Sequence, residues 1–134
     1  MIILNKLIKC GELKGDLHKA MDIASRLGLA RVLVLQQKYD EAMKIVRKIF
    51  ESASPDDVAT NANAYNTMGL CYKAQRGHAK DAVIAFMHTH LLFNRDPTLH
   101  QEALDNMILL WRNDLKNEAR AADLENIRRS MYGR

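Results

Sequence analysis

Apolar residues recur every three or four positions along most of the chain, a spacing that places them on one face of a helix. The clearest run comprises Ala82, Ala85, Phe86, Thr89, Leu92 and Phe93. The one β-branched cluster, RVLVLQQ, is short and lies inside a longer pattern of helical period. The pattern therefore predicts an all-α fold.

Helix starts are marked by residues that favour the first turn. SPDD supplies Ser54 as an N-cap, a proline at the first helical position and two acidic residues that interact well with the helix dipole. DPTLHQEA repeats the arrangement with Asp96, and GDLHKA predicts a further start at Asp16. The predicted helices cover about 2–12, 16–27, 29–37, 39–53, 56–75, 78–94, 97–113 and 116–131.

The break at Gly28 is open to two interpretations, because residues 16–37 form either two helices or one longer, kinked helix. All the predicted connections are short, so helices that follow one another are expected to pack antiparallel. A chain of 134 residues is the size of one domain, and residues 1–134 are interpreted as a single helical domain.

Charge and cysteine content narrow the classes of function. Twenty basic residues against sixteen acidic ones give a net charge of +4, which is a weak signal for nucleic-acid binding. Cys10 and Cys71 are far apart and form no CxxC motif, so a reducing, cytoplasmic setting is expected. The start MIILNKLIK does not resemble a signal peptide, and no apolar stretch approaches the ~18 to 20 residues of a membrane span.

An internal pattern is most distinct in residues 65–97. In order along the chain it reads Tyr65-x2-Met68-Gly69-x2-Tyr72, Ala82-x3-Phe86 and Pro97. This order resembles the tetratricopeptide repeat (TPR), although Tyr and Met replace Trp and Leu and the turn is one residue longer. Gly69 and Ala82 are small where two antiparallel helices would cross, and aromatic side chains would fill the space beside them.

Weaker copies flank this unit. Leu104-x2-Met107-Ile108-x2-Trp111 keeps the spacing in the following unit, where Ala119 and Ala122 are candidate small positions, and Ala42-x3-Val46 with Pro55 resembles the end of a preceding unit. The resemblance implies repeat units at about 23–56, 62–97 and 101–131, stacked as a short right-handed α-solenoid. Residues 1–22 are irregular and resemble a pentatricopeptide repeat.

Two patterns invite a catalytic or metal hypothesis. Cys71 and His78 could act as nucleophile and base, but a cysteine near a helix C-terminus meets negative potential that weakens the thiolate. The histidines at 18, 78, 88, 90 and 100 lack the i,i+3 or i,i+4 spacing of ligands on one helix. No catalytic residue, metal site or cofactor is therefore predicted, and the chain is not expected to be an enzyme.

The resemblance implies a concave face lined by first-helix residues outside the core, where a partner peptide or helix would bind. The candidate groove residues are Arg31, Asn63, Asn66, Thr67, Leu70, Lys73, Glu102, Asp105, Asn106, Leu109 and Arg112. Leu70 and Glu102 stand where chaperone-binding TPR proteins carry Asn and Lys, which disfavours a chaperone adaptor.

The predicted function is a non-catalytic protein-interaction module or scaffold. Its partner would be a protein segment, acidic if it pairs with Arg31, Lys73 or Arg112, and self-association is a further possibility. No membrane partner is expected. The alternative is a pentatricopeptide-like RNA-binding protein that uses the N-terminal portion and the basic C-terminal helix.

Overall fold

A computed structural model describes residue 19 and residues 21–133, and the described part of the chain is all-α, as predicted. Helix α1 covers 21–35, α2 Tyr39–Ser52, α3 Val58–Ala74, α4 Ala79–Leu92, α5 Pro97–Leu109 and α6 Glu118–Tyr132. Helix α5 continues into a π-helical turn, Leu110–Asp114. The helix predicted at 2–12 lies outside the described residues. Among those described, no helix has the length and apolar character needed to cross a bilayer.

Of the two interpretations of the chain at Gly28, one longer helix holds over residues 21–35. The reversal comes later, where Gln37 takes a left-handed backbone conformation with φ of 63°. Gln37 N–H donates to Val34 O and Lys38 N–H donates to Leu33 O, the two bonds of a Schellman motif. Helix α1 therefore ends at the Schellman motif around Gln37, and Gly28 lies in the middle of the helix.

The predicted N-cap of α5, Asp96, is correct, whereas the predicted N-cap of α3, Ser54, lies three residues before the actual one. The Asp96 carboxylate accepts from the backbone N–H groups of Thr98 and Leu99. At α3 the cap is Asp57, which accepts from Thr60 N–H, whereas Ser54 belongs to the turn before the helix. Both helices therefore begin with a carboxylate at their positive end.

Helices that follow one another in sequence contact one another and run antiparallel. In α3 and α4, Thr89 Oγ1 donates to Ala62 O near one end, and Gly69 meets the Phe86 ring further along. Alternate helices also touch: α3 contacts α5, with Asn66 beside Leu99 and Lys73 beside Asn106. From the first pair to the second, the residue number rises by seven in both helices, so α3 and α5 run parallel.

The core forms two clusters that meet at α3 and α4. One joins α1, α2 and α3 around Leu27 and Ile49, and the other joins α4, α5 and α6 around Phe86 and Leu104. Where α3 crosses α4, a Cβ placed on Gly69 would lie 2.6 Å from Cζ of Phe86. The predicted close approach at Gly69 is therefore present.

The small core residue of α6 differs from the prediction. Ala121 and Leu124 are buried against α4 and α5, whereas Ala119 is exposed and Ala122 is half-buried.

Candidate functional site: a polar network and an apolar groove

The predicted groove residues include an ion pair that spans three helices. Arg31 on α1 donates from Nη1 and Nη2 to the two carboxylate oxygens of Glu102 on α5, at 2.8 and 2.9 Å. Between them lies α3, whose Thr67 hydroxyl and Asn63 amide oxygen also accept from the guanidinium, at 3.2 and 3.0 Å. This geometry is bidentate and half-buried, the arrangement in which an Arg–carboxylate pair is strongest and most directional.

Asn66 completes the network from the buried side of α3. Its Nδ2 donates to Leu99 O and to Glu102 Oε1, both at 2.9 Å. Burial alone would raise the pKa of Glu102, but the hydrogen bonds and charge of Arg31, with the bond from Asn66, outweigh it and lower that pKa. Glu102 is therefore held as a carboxylate that ties α5 to α1 and α3.

This network changes the role of several predicted groove residues. Asn66 and Thr67 are fully buried, with Asn66 against Leu99 and Glu102 of α5 and Thr67 beside Arg31 of α1, so they cannot contact a partner in this structure. Asn63, Arg31 and Glu102 remain half-buried at the edge of the network. These polar groups bind one another and fix the spacing of the helices beneath the predicted face.

Beside the network an open apolar groove of about 430 Å³ lies between α1 and α3. It is lined by the apolar residues Val34, Leu35, Leu70 and Ala74 and by the cationic residues Arg31 and Lys73. Leu35 is 84% exposed, so a large apolar side chain faces solvent at this groove. Lys73 Nζ donates to the neutral amide oxygen of Asn106 at 2.8 Å.

The remaining predicted residues lie on a second depression, of about 480 Å³, between α5 and α6. Asp105, Leu109 and Arg112 contribute to its lining. Arg112 donates to Glu118 and to Glu125, and these bonds raise its pKa above the usual arginine value. Asp105 is paired with Arg128. Arg112 and Arg128 of this second depression are thus paired with carboxylates of the chain, whereas Arg129 donates to the amide oxygen of Asn126.

Cys71 and His78 do not form a catalytic pair. Cys71 is fully buried, with its sulfur beside Tyr39 O and the Gln75 amide. Burial raises the pKa of this thiol, and the charge of Asp40 adds to the rise against the Gln75 hydrogen bond. His78 instead pairs with Asp81 at 3.0 Å and stacks on the ring of Tyr72. The thiol is therefore not activated.

A histidine pair was missed by the sequence reasoning. His90 Nδ1 lies 2.7 Å from Nε2 of His100, whose Nδ1 lies 2.5 Å from the Tyr132 hydroxyl. His100 is fully buried, and burial lowers the pKa of both imidazoles. These contacts between His90, His100 and Tyr132 link α4, α5 and α6. Helical spacing within one helix gave no signal for it, since the partners come from three helices.

No group of three or more His, Cys, Asp or Glu side chains in the described part of the chain is arranged to hold a metal ion. In comparisons of the chain with protein-family models, curated proteins and solved structures, nothing matches.

Proposed function

We propose that this chain is a non-catalytic interaction module made of TPR-like helix pairs, stacked as a short right-handed α-solenoid. The proposal is supported by the parallel alignment of α3 and α5 and by the antiparallel pair α3 and α4, closed at Gly69 and Phe86. In an array of this kind, first helices line one face and the connecting ion pair of Arg31 and Glu102 spans three of them.

The observation that carries the function is the groove between α1 and α3. Leu35 and Leu70 present apolar surface there with no side chain of the described part of the chain filling the space. An aliphatic or aromatic side chain of a partner would bury this surface, at about 25 cal/mol for each Å² removed from water. Leu70 lines this groove and would be the main anchor.

Charge adds a second element of recognition. Arg31 and Arg112 are already paired with carboxylates of the chain, so they contribute little to attracting a ligand. Lys73 is hydrogen-bonded to a neutral amide, and no carboxylate in the described part of the chain lies within 4.0 Å of it. A segment that combines an apolar anchor with an acidic group would fit both Leu70 and Lys73.

A selection experiment tests the proposal without a known partner. A random peptide library displayed on phage is selected against the full chain, and enriched peptides are titrated by fluorescence anisotropy. Leu70→Asp should weaken binding at least about tenfold, the effect of losing one buried anchor. Ile84→Asp is the matched control, since Ile84 is an exposed aliphatic residue on α4, and it should leave affinity unchanged. Equal affinity for both variants would reject this groove.

The RNA-binding alternative receives no comparable support. Most of the residues 1–22 on which it rests lie outside the described ones. On the basic C-terminal helix, Arg128 pairs with Asp105 and Arg129 approaches Asn126.

A further inference from the structure

Helix α4 has a second apolar face besides the one in the core. Its core side packs against α3 and α5. On the other side, Ile84, Leu91 and Leu92 are 57%, 62% and 65% exposed. An open depression of about 230 Å³ lies on this face, and all of its lining residues belong to α4: Ile84, Met87, His88, Leu91 and Leu92. Exposed aliphatic side chains around a hollow are typical of a surface that binds another protein.

The depression has the residue spacing that receives a side chain from a second helix. Ile84, Met87, His88 and Leu91 stand at i, i+3, i+4 and i+7, the four positions that form the hole in knobs-into-holes packing. The same face also supplies protruding side chains, since Ile84 and Leu91 are more than half exposed. A surface with both a hole and knobs can pack against its own copy, as a dimer with two-fold symmetry requires.

The charges at the two ends of α4 favour an antiparallel copy. Lys80 and Asp81 lie in its first turn, and Arg95 and Asp96 follow its last turn. An antiparallel copy centred on His88 places Asp81 opposite Arg95, each seven residues from the centre. It places Lys80 opposite Asp96 in the same way, each eight residues from the centre. Opposite charges therefore meet at both ends of the paired helices.

These four charged groups are available to a second copy. No carboxylate of the described part of the chain lies within 4.0 Å of the Lys80 or Arg95 cation. Asp81 is exposed, and its contact is the imidazole of His78 at 3.0 Å. Asp96 caps α5 through Oδ1, and among the described residues its Oδ2 accepts no hydrogen bond.

We propose that two copies of this chain associate through the exposed face of α4, packed antiparallel about His88. In this register Ile84 stands opposite Leu92 of the second copy, each four residues from the centre. The apolar contacts then lie between the two sets of charges, and an apolar centre with a polar rim is the usual arrangement of a protein interface. This face is separate from the groove between α1 and α3, so the inference does not depend on the proposed function.

Sedimentation velocity of the full chain over a concentration series tests the proposal. An interface built on one helix is small, so the series should extend from about 10 µM to about 1 mM, and the weight-average mass should rise toward that of a dimer. Leu91→Asp places a carboxylate in the apolar centre and should raise the dimer dissociation constant at least about tenfold. Met131→Asp is the matched control, since Met131 is 54% exposed on α6, and it should leave that constant unchanged.

A charge exchange tests the antiparallel register. Asp81→Arg alone and Arg95→Asp alone each place like charges opposite each other and should weaken the dimer at least about fivefold, whereas the double variant should recover most of the affinity. Both positions are exposed, and circular dichroism verifies that each variant is folded. A chain that stays monomeric throughout the series would overturn the proposal. A dimer that survives Leu91→Asp, or a double variant that binds no tighter than either single variant, would also overturn it.

Discussion

Replacing Gly69 by alanine sets two opposed effects against each other. Inside α3, alanine is favoured over glycine by about 1 kcal/mol of helix propensity. The new methyl group, however, would lie 2.6, 2.7 and 2.8 Å from three carbons of the Phe86 ring, where carbon contacts are normally about 3.5 to 4.0 Å. Relieving this overlap requires the ring to move by about 1 Å within a packed core.

The clash should outweigh the propensity. Phe86 is fully buried and belongs to the same cluster as Leu104 and Met107, so its ring has little free space. Overpacking of this kind costs about 1 to 3 kcal/mol, so Gly69→Ala should lower the free energy of unfolding by about 1 kcal/mol net. In a Phe86→Leu background the ring carbons are gone, and the same substitution should raise it by up to about 1 kcal/mol.

Urea unfolding of the four proteins, followed by circular dichroism, measures this change of sign. The coupling between the two positions should be about 1 to 3 kcal/mol, provided that the transitions remain two-state with similar slopes. A Gly69→Ala effect of the same sign and size in both backgrounds would refute the close crossing of α3 and α4.

Three further predictions concern buried ionisable groups. Glu102→Gln should lower the free energy of unfolding by about 1 to 2 kcal/mol, a value reduced because the Arg31–Glu102 pair is partly exposed to solvent. Urea unfolding of both proteins measures this change. Because the folded-state pKa of Glu102 is lowered, its contribution is present above about pH 4.5 and lost as the pH falls through the folded pKa, so the Gln variant should lose less stability in acid. The pKa values of His90 and His100 are lowered, so their contribution to the free energy of unfolding is present above the ordinary value of 6.5 and declines as the pH falls below it. His100→Gln should make this decline of stability with pH less steep, and an unchanged pH profile of stability would contradict the prediction. In a Cys10→Ser background, Cys71, buried and with a raised pKa, should react with a thiol reagent only as fast as the chain opens, and immediate reaction of the folded variant would show otherwise.

Sequence reasoning succeeded where local chemistry determines local structure. The all-α assignment and the Asp96 cap follow from signals within a few residues of one another. The contact at Gly69 was predictable because a small residue in an aromatic-rich helix pair leaves room for close approach.

The failures involve partners distant in sequence. Arg31 and Glu102 were both selected as groove residues, but their types and spacing could not show that they pair across α3. Similarly, His90 and His100 come from two helices, and only packing brings their rings together. At Gly28 the sequence leaves one helix or two open, because glycine is a weak helix former, and the Schellman motif at Gln37 provides the actual end. Tertiary packing decides the Arg31–Glu102 and His90–His100 contacts, whereas the end of α1 is set by the local hydrogen bonds at Gln37 and Lys38.

A charge exchange between the groove and a bound peptide tests the central claim most directly. An acidic peptide selected against the chain is titrated by fluorescence anisotropy against the wild type and Lys73→Glu, beside a version with lysine replacing its acidic residue. The account predicts that Lys73→Glu binds the acidic peptide at least about fivefold more weakly and binds the lysine peptide better than the wild type does. Affinities that do not change with the charge at position 73 would contradict binding in the groove between α1 and α3.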